Sequence, residues 1–108
     1  MSNFEKLKTF EPLSSSLTIK RSPIHGLGLF AKSEIPQQYE LGISHVKDDR
    51  FSHGYIRTPL GGFFNHSKKP NCEAIYYGDF IKIKTLININ SGDEITVDYT
   101  KHDWIKQN

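Results

Sequence analysis

Three short stretches of this 108-residue chain combine residue types that could do chemistry. In the first, His25-Gly26-Leu27-Gly28, closely spaced glycines would let the backbone approach a ligand. The second is the polar run 65–72 (Asn-His-Ser-Lys-Lys-Pro-Asn-Cys), and the third is the run 92–99 (Gly-Asp-Glu-Ile-Thr-Val-Asp-Tyr). Each also has a structural interpretation: a bulge, a turn bonded by Asn and Ser side chains, and a strand carrying a core tyrosine. Taken separately, none of the three predicts an enzyme.

A metal centre is not predicted, and no metal ligands are assigned. The single cysteine, Cys72, excludes a disulfide framework and a cysteine-rich zinc cluster within the chain. The histidines His45, His53 and His102 show no metal-ligand spacing, and we interpret them as surface or turn residues. A nucleophile triad cannot be assigned either, because one sequence contains no geometry.

Short strands are the elements predicted to position these stretches. The chain has 12 Ile and 13 aromatic residues against 2 Ala, a usage that suits pleated sheets rather than helices. Apolar and polar residues alternate in 17–20, and 29–31 and 39–46 are further candidate strands. The fold class is therefore predicted to be mostly β.

The clearest pattern is a hairpin in the second half of the chain. Residues 73–77 and 80–84 flank Gly78-Asp79, a two-residue turn signal. Ile87 and Ile89 keep the odd-numbered phase of Ile81 and Ile83, alternating with Asn88 and Asn90. Residues 95–99 alternate again and predict a last strand that ends at Tyr99.

Length and charge limit what the chain can be. At 108 residues it has room for one domain, which we divide into a polar lead-in (1–16), a folded unit (17–100) and a tail (101–108). A net charge of +2 is too small to favour a nucleic-acid binder. Neither a membrane span nor a secretion signal is recognised, so we expect a soluble protein of the cytoplasm or nucleus.

The order and spacing of the three stretches resemble the signature blocks of SET-domain protein lysine methyltransferases. The blocks are Gly26 to Ala31, Asn65 to Cys72, and Gly92 to Tyr99, and the likeness covers roughly residues 17–100. The resemblance implies a β-clip of several short curved sheets. It also implies a pseudoknot-like crossing, in which the C-terminal segment passes beneath the Asn-His-Ser loop.

The same resemblance implies S-adenosylmethionine as cofactor and a lysine-bearing protein or peptide as substrate, joined by a narrow channel. Tyr99 matches the catalytic tyrosine of the family, and Asn65 and His66 would bind the amino and adenine portions of the cofactor. The backbone of the first stretch would hold the methionine portion: His25, Gly26, Leu27 and Gly28. Trp104 would either cover the cofactor or simply pack, and the channel walls would come from Phe64, Tyr76 or Tyr77.

Several positions depart from the family pattern. Ile43-Ser44-His45 stands where many members have a Glu-Tyr pair, and Gly61-Gly62 where an Ala-Arg pair is frequent. Val97 occupies the position at which a Phe or Tyr often tunes the number of methyl groups added. The segment that normally builds the peptide groove is very short, so a homodimer that completes the groove is left open.

Two functions follow from these observations. The leading one is transfer of methyl groups to the ε-amine of lysine in a protein. The alternative is a non-catalytic SET-like module that binds a peptide or the cofactor without turnover.

Overall fold

A computed structural model describes residues 13–51 and 54–101 of the chain. The predictions for the lead-in before residue 13, and those for His53, His102 and Trp104, lie outside the described residues. In chain order the elements are β1 (Leu17–Arg21), β2 (Leu27–Ala31), β3 (Glu40–Lys47), β4 (Tyr55–Arg57), α1 (Pro59–Phe63), β5 (Asn65–His66), β6 (Cys72–Tyr77), β7 (Phe80–Thr85), β8 (Thr96–Val97) and a 3-10 helix (Tyr99–Lys101).

The strands form three small sheets. β1 and β2 make an antiparallel pair, and the largest sheet has the order β4-β3-β7-β6. β5 pairs in parallel with β8, thirty residues further along the chain. We call β5, β8 and the 3-10 helix the crossing. The predicted mostly-β fold of several short sheets is confirmed.

The predicted hairpin is formed by β6 and β7. Tyr77 pairs with Phe80 across the turn, and Gly78 has a φ of 58°, a left-handed conformation that favours glycine. Along β7, Ile81 and Ile83 are fully buried, while the alternate side chains point outward. We call the outward side of the four-stranded sheet the outer face, defined by Glu40, Tyr77, Phe80, Lys82 and Lys84.

One apolar core lies between the sheets. Its fully buried members come from β2, β7 and the segment before β8: Leu29, Ile81, Ile83 and Ile95. Ile89 is also buried and forms an isolated bridge with Ile35. Ile87 keeps the phase of Ile81 and Ile83 but lies beyond the end of β7 at Thr85, and its side chain is 54% exposed.

The Gly61-Gly62 pair lies in the short helix α1. The Thr58 side chain accepts a hydrogen bond from the Gly61 N–H at 3.4 Å, and Pro59 opens the first turn. A Cβ on Gly61 would collide with the Ser44 carbonyl of β3. Glycine at this position therefore lets the helix pack directly against the sheet. Within 13–51 and 54–101, no helix is long and apolar enough to span a membrane.

The interpretation of His45 as a surface or turn residue is wrong. His45 lies in β3 and is 1% exposed. The Ser44 hydroxyl donates to the Ile81 carbonyl at 3.1 Å, and Nδ1 of His45 lies 2.9 Å from the same hydroxyl oxygen. Polar groups of this kind can be buried because they find partners across the sheet.

Candidate functional site

The crossing brings the second and third stretches together. Asn65 pairs with Thr96 and His66 with Val97, and the Ser67 N–H donates to the Val97 carbonyl at 3.2 Å. Each of these strands has only two residues, so few ladder hydrogen bonds hold them together. Burial of their side chains in the core is therefore expected to stabilise the pairing. Val97 is 1% exposed and belongs to the core.

Tyr99 follows β8 directly and lies against His66. Its backbone N–H donates to Nδ1 of His66 at 3.0 Å, and the two ring centroids are 5.1 Å apart. An imidazole nitrogen that accepts a hydrogen bond carries no proton, so the proton of neutral His66 is on Nε2. The hydrogen bond fixes the ring relative to the backbone at Tyr99.

The hydroxyl of Tyr99 donates to the Phe64 carbonyl at 2.7 Å. The rings of the two residues meet edge to face, with centroids 6.1 Å apart. Burial raises the pKa of Tyr99 above its ordinary value; Arg57 opposes this shift and Glu94 adds to it. The phenol is thus protonated at neutral pH and presents its oxygen beside a carbonyl oxygen.

Asn65 is over nine-tenths buried, and its amide nitrogen is surrounded by acceptors. Nδ2 lies 2.7 Å from Oε2 of Glu94, 3.2 Å from the Ser22 hydroxyl and the His25 carbonyl, and 3.3 Å from the Leu27 carbonyl. Carbonyl and carboxylate oxygens only accept, so nitrogen must face them and Oδ1 must point elsewhere. Oδ1 has no hydrogen-bond donor among the residues that the structure describes.

The first stretch forms the end of an open cleft beside Asn65. Gly26 has a φ of 48°, and its carbonyl accepts the Ser22 N–H at 2.8 Å. Gly28 is buried, and a Cβ there would overlap the side chains of Glu94 and Ser22. The cleft has a volume of about 440 Å³ and is lined by Arg21, Ser22, Gly26 and Leu27.

The candidate channel residues do not lie together, since Phe64 is next to Tyr99 and Tyr77 is on the outer face. Phe64 packs between Tyr99 and His45, with ring centroids 6.1 and 6.5 Å away. Tyr77 lies on the outer face, where its hydroxyl donates to Glu40 at 3.0 Å. Tyr76, its neighbour in β6, is 49% exposed. Phe64 therefore contacts Tyr99 directly.

Two residues at the site were missed by the sequence reasoning. Ser22 and Glu94 are hydrogen-bonded to each other, with the hydroxyl 2.8 and 2.9 Å from the two carboxylate oxygens. The only sequence feature that pointed to Glu94 was its position within the third stretch. No sequence feature pointed to Ser22. They lie 72 positions apart in the chain, and no local pattern predicts a contact at that separation.

No metal site emerges from the described residues. Within 13–51 and 54–101, no three His, Cys, Asp or Glu side chains are grouped so that they could share an ion. Cys72 is buried in β6, and burial raises the pKa of its thiol to about 12. A thiol held in this protonated form is a poor nucleophile and metal ligand.

Comparison with known protein families agrees with this geometry. The model of the SET domain matches residues 39–100, which is more than half of the chain. The chain therefore belongs to the SET domain family, whose members include protein lysine methyltransferases that use S-adenosylmethionine.

The curated relatives differ in how much of their length is shared. A SET and MYND domain-containing protein of Dictyostelium discoideum is 38% identical over 50 residues, which are 46% of this chain and 12% of that protein. The chain thus spans about an eighth of the length of that relative. A Schizosaccharomyces pombe histone-lysine N-methyltransferase specific for H3 lysine-37 is 27% identical, covering 87% of this chain and 80% of that enzyme.

Solved structures support the fold. A Plasmodium falciparum protein superposes with a TM-score of 0.65 at 21% identity, covering 81% of this chain and 95% of that one. The methyltransferase domain of human PR domain-containing protein 2 gives a TM-score of 0.62 at 16% identity, covering 79% and 77% of the two chains. At these identities the likeness concerns the SET fold alone.

Proposed function

We propose that this chain transfers a methyl group from S-adenosylmethionine to the ε-amine of a lysine in a protein substrate. One observation carries the proposal: the Tyr99 hydroxyl oxygen lies 2.7 Å from the Phe64 carbonyl oxygen in a half-buried setting. Two adjacent oxygens can orient a polarised methyl group through weak C–H···O contacts. Orientation matters because methyl transfer is an in-line displacement.

The residues present fit the cofactor. The amide oxygen of the buried Asn65 has no donor within residues 13–51 and 54–101, and an unsatisfied buried acceptor costs about 1–3 kcal/mol. We infer that the ammonium group of the cofactor's methionine portion is the missing donor. The backbone of His25, Gly26, Leu27 and Gly28 would hold the rest of that portion, and His66 the adenine portion. When bound, S-adenosylmethionine supplies an electrophilic methyl group on a sulfonium.

Tyr99 is proposed as the catalytic residue, and its raised pKa suits this role. A protonated phenol keeps its bond to the Phe64 carbonyl and leaves its lone pairs for the methyl group. The acceptor lysine must be neutral to attack. The rings of Phe64 and His66 pack against the half-buried Tyr99, and partial desolvation in such a setting would lower the pKa of an amine. We therefore assign no general base.

Several attributes belong to the same proposal. Residues 17–100 would form the catalytic unit, and Trp104 would cover the cofactor. The partner would be a lysine-containing protein, such as a histone, in the cytoplasm or nucleus, and no nucleic acid is needed. A homodimer would complete the substrate groove; light scattering of the purified chain tests it, and a monomeric mass at micromolar concentration contradicts it.

Labelled methyl transfer tests the function. The chain is incubated with methyl-labelled S-adenosylmethionine and either purified histones or a host lysate, and the modified residue is located by mass spectrometry. We expect label on lysine. Cofactor binding without incorporation into any fraction would instead favour the non-catalytic binding module.

A further inference from the structure

Glu94 contributes a carboxylate to the candidate site, and no cationic side chain in the described part of the chain forms an ion pair with it. Its Oε2 accepts from Asn65 at 2.7 Å, and both of its oxygens lie within 2.9 Å of the Ser22 hydroxyl. Among the described residues, the lysine and arginine ion pairs join Arg50 to Asp48 and Lys82 to Glu40 and leave Glu94 out. The hydrogen bonds that the carboxylate accepts from described side chains come from two neutral groups, the Ser22 hydroxyl and the Asn65 amide.

This carboxylate is the nearest of the acceptors that set which way the Asn65 amide faces, ahead of the His25 and Leu27 carbonyls. An asparagine side chain can rotate by half a turn and exchange its oxygen and nitrogen at little steric cost. With the oxygen inward, Oδ1 would stand 2.7 Å from a carboxylate oxygen, and two acceptors would repel each other. A charge-assisted hydrogen bond from Nδ2 is stronger than a neutral one and favours the observed orientation.

Ser22 in turn holds the carboxylate. Its hydroxyl oxygen accepts the Ile24 N–H at 2.9 Å and the His25 N–H at 3.3 Å, and donates its single proton to Glu94. Gly28 leaves the space that the carboxylate occupies, since a Cβ there would overlap it. The loop of the first stretch and the Glu94 side chain are thus fixed relative to each other.

We propose that Glu94, held by Ser22, is a positioning residue of the cofactor site: it orients the Asn65 amide so that Oδ1 faces the ammonium group of the cofactor. The inference rests on the proposed function. It adds a residue that does not touch the cofactor but determines which polar atom of Asn65 meets it.

Two ligands that differ in the amino-acid portion separate this role from a structural one. S-Adenosylmethionine carries the ammonium group, whereas 5′-methylthioadenosine keeps the adenosine and sulfur but has no amino acid. For Glu94→Ala we expect about tenfold weaker binding of S-adenosylmethionine by calorimetry and less than about twofold change for methylthioadenosine. Glu34→Ala, an exposed glutamate elsewhere, is the matched control and should change neither.

A second pair of variants keeps the test decisive if Glu94→Ala does not fold. Glu94→Gln retains one acceptor oxygen for Asn65 and should bind S-adenosylmethionine more tightly than Glu94→Ala does. Ser22→Ala frees the carboxylate and should weaken the same ligand by a smaller factor, again sparing methylthioadenosine. Circular dichroism verifies that each variant is folded.

The outcomes are distinguishable. Unchanged affinity for S-adenosylmethionine in folded Glu94→Ala overturns the positioning role and leaves the proposed function intact. Equal weakening of both ligands assigns Glu94 a merely structural role and also overturns it. If the unaltered protein binds S-adenosylmethionine at no measurable concentration, the proposed function itself fails.

Discussion

Tyr99 and Tyr77 each donate their hydroxyl to an oxygen, the first in the crossing and the second on the outer face. Tyr99 donates to the Phe64 carbonyl at 2.7 Å, and Tyr77 to the Glu40 carboxylate at 3.0 Å. The pKa of both phenols is raised above the ordinary value, but the causes differ. Burial raises the pKa of Tyr99, whereas the hydrogen bond to Glu40 is the largest cause for Tyr77.

The difference indicates that a raised pKa alone does not mark a functional residue. On the outer face the Tyr77 hydroxyl is bonded to a charged group in water, beside Lys82, whose ammonium lies 5.0 Å from the Tyr77 ring centroid. In the crossing, Tyr99 is bonded to a backbone carbonyl, next to a histidine and a buried asparagine. Of the two environments, the crossing is the one in which the phenol oxygen lies beside a neutral carbonyl oxygen in a half-buried site.

The largest contrast is expected in turnover. Tyr99→Phe removes the hydroxyl oxygen next to the Phe64 carbonyl and should lower kcat for methyl transfer by roughly tenfold or more, which corresponds to at least about 1.4 kcal/mol in the barrier. Binding of S-adenosylmethionine should change by less than about twofold, because the oxygen is assigned to the transferred methyl group. Radiolabel incorporation and calorimetry measure the two quantities.

Tyr77→Phe is the matched control, since it deletes the same hydroxyl from the outer face. Its turnover should equal that of the unaltered protein. If the two variants lose activity equally, or if Tyr99→Phe keeps full turnover, the functional distinction between the crossing and the outer face is wrong.

The next contrast concerns stability. Asn71 ties the segment around β8 to the start of β6: its Nδ2 donates to the Glu94 carbonyl at 2.7 Å, and its Oδ1 accepts the Thr96 N–H at 2.9 Å. Asn71→Ala leaves both backbone groups unpaired and should lower the free energy of unfolding by about 1–3 kcal/mol. Chemical denaturation measures the loss.

Asn88→Ala is the control for this prediction. Asn88 is exposed, and its side chain accepts only the Gln37 N–H, at 2.9 Å, so water can replace it. Its denaturation midpoint should stay closer to that of the unaltered protein. Equal losses for the two substitutions would show that the crossing is no more dependent on its hydrogen bonds than an exposed loop.

A smaller effect is expected from a single methyl group at Gly28. Gly28→Ala displaces the Glu94 carboxylate and should weaken S-adenosylmethionine binding by about threefold to tenfold, that is about 0.7–1.4 kcal/mol. Gly62→Ala, where a Cβ meets nothing within 4 Å, should have no effect on binding. In a Glu94→Ala background the Gly28→Ala effect should shrink; an undiminished effect would mean that Ser22, and not Glu94, is the group displaced.

Local patterns predicted the elements that are stabilised locally. The β6–β7 hairpin followed from alternation around Gly78-Asp79. A two-residue turn and a period of two both depend only on residues that are close together in the sequence. The alternation around residues 95–99 predicted a strand, and in the structure Ile95, Thr96 and Val97 are all buried. It overestimated the strand, which comprises only Thr96–Val97 before the chain turns into the 3-10 helix.

Contacts between distant segments could not be predicted in this way. His45 is polar, and its burial depends on β7 residues that no local pattern connects with it. The pairing of Asn65 with Thr96 followed only from the family resemblance, since each strand is two residues long. The Glu94–Ser22 contact followed from neither, because it is a side-chain contact between the ends of the folded unit.

The finest distinction between the two tyrosines concerns how their pKa values respond to a neighbouring charge. Glu40→Gln removes the carboxylate that accepts from Tyr77, so the pKa of Tyr77 should fall toward its ordinary value of about 10. The pKa of Tyr99 should not change, because burial is the main reason that it is raised. Ultraviolet titration of Tyr99→Phe and Tyr77→Phe, each with and without Glu40→Gln, resolves the two phenols.

A raised pKa stabilises the folded state below the unfolded value, so this stabilisation should be lost as pH rises above about 10 and through the folded pKa. In Glu40→Gln the Tyr99 part of that loss should persist; if it disappears, the burial of Tyr99 does not govern its ionisation, and the contrast with the outer face fails.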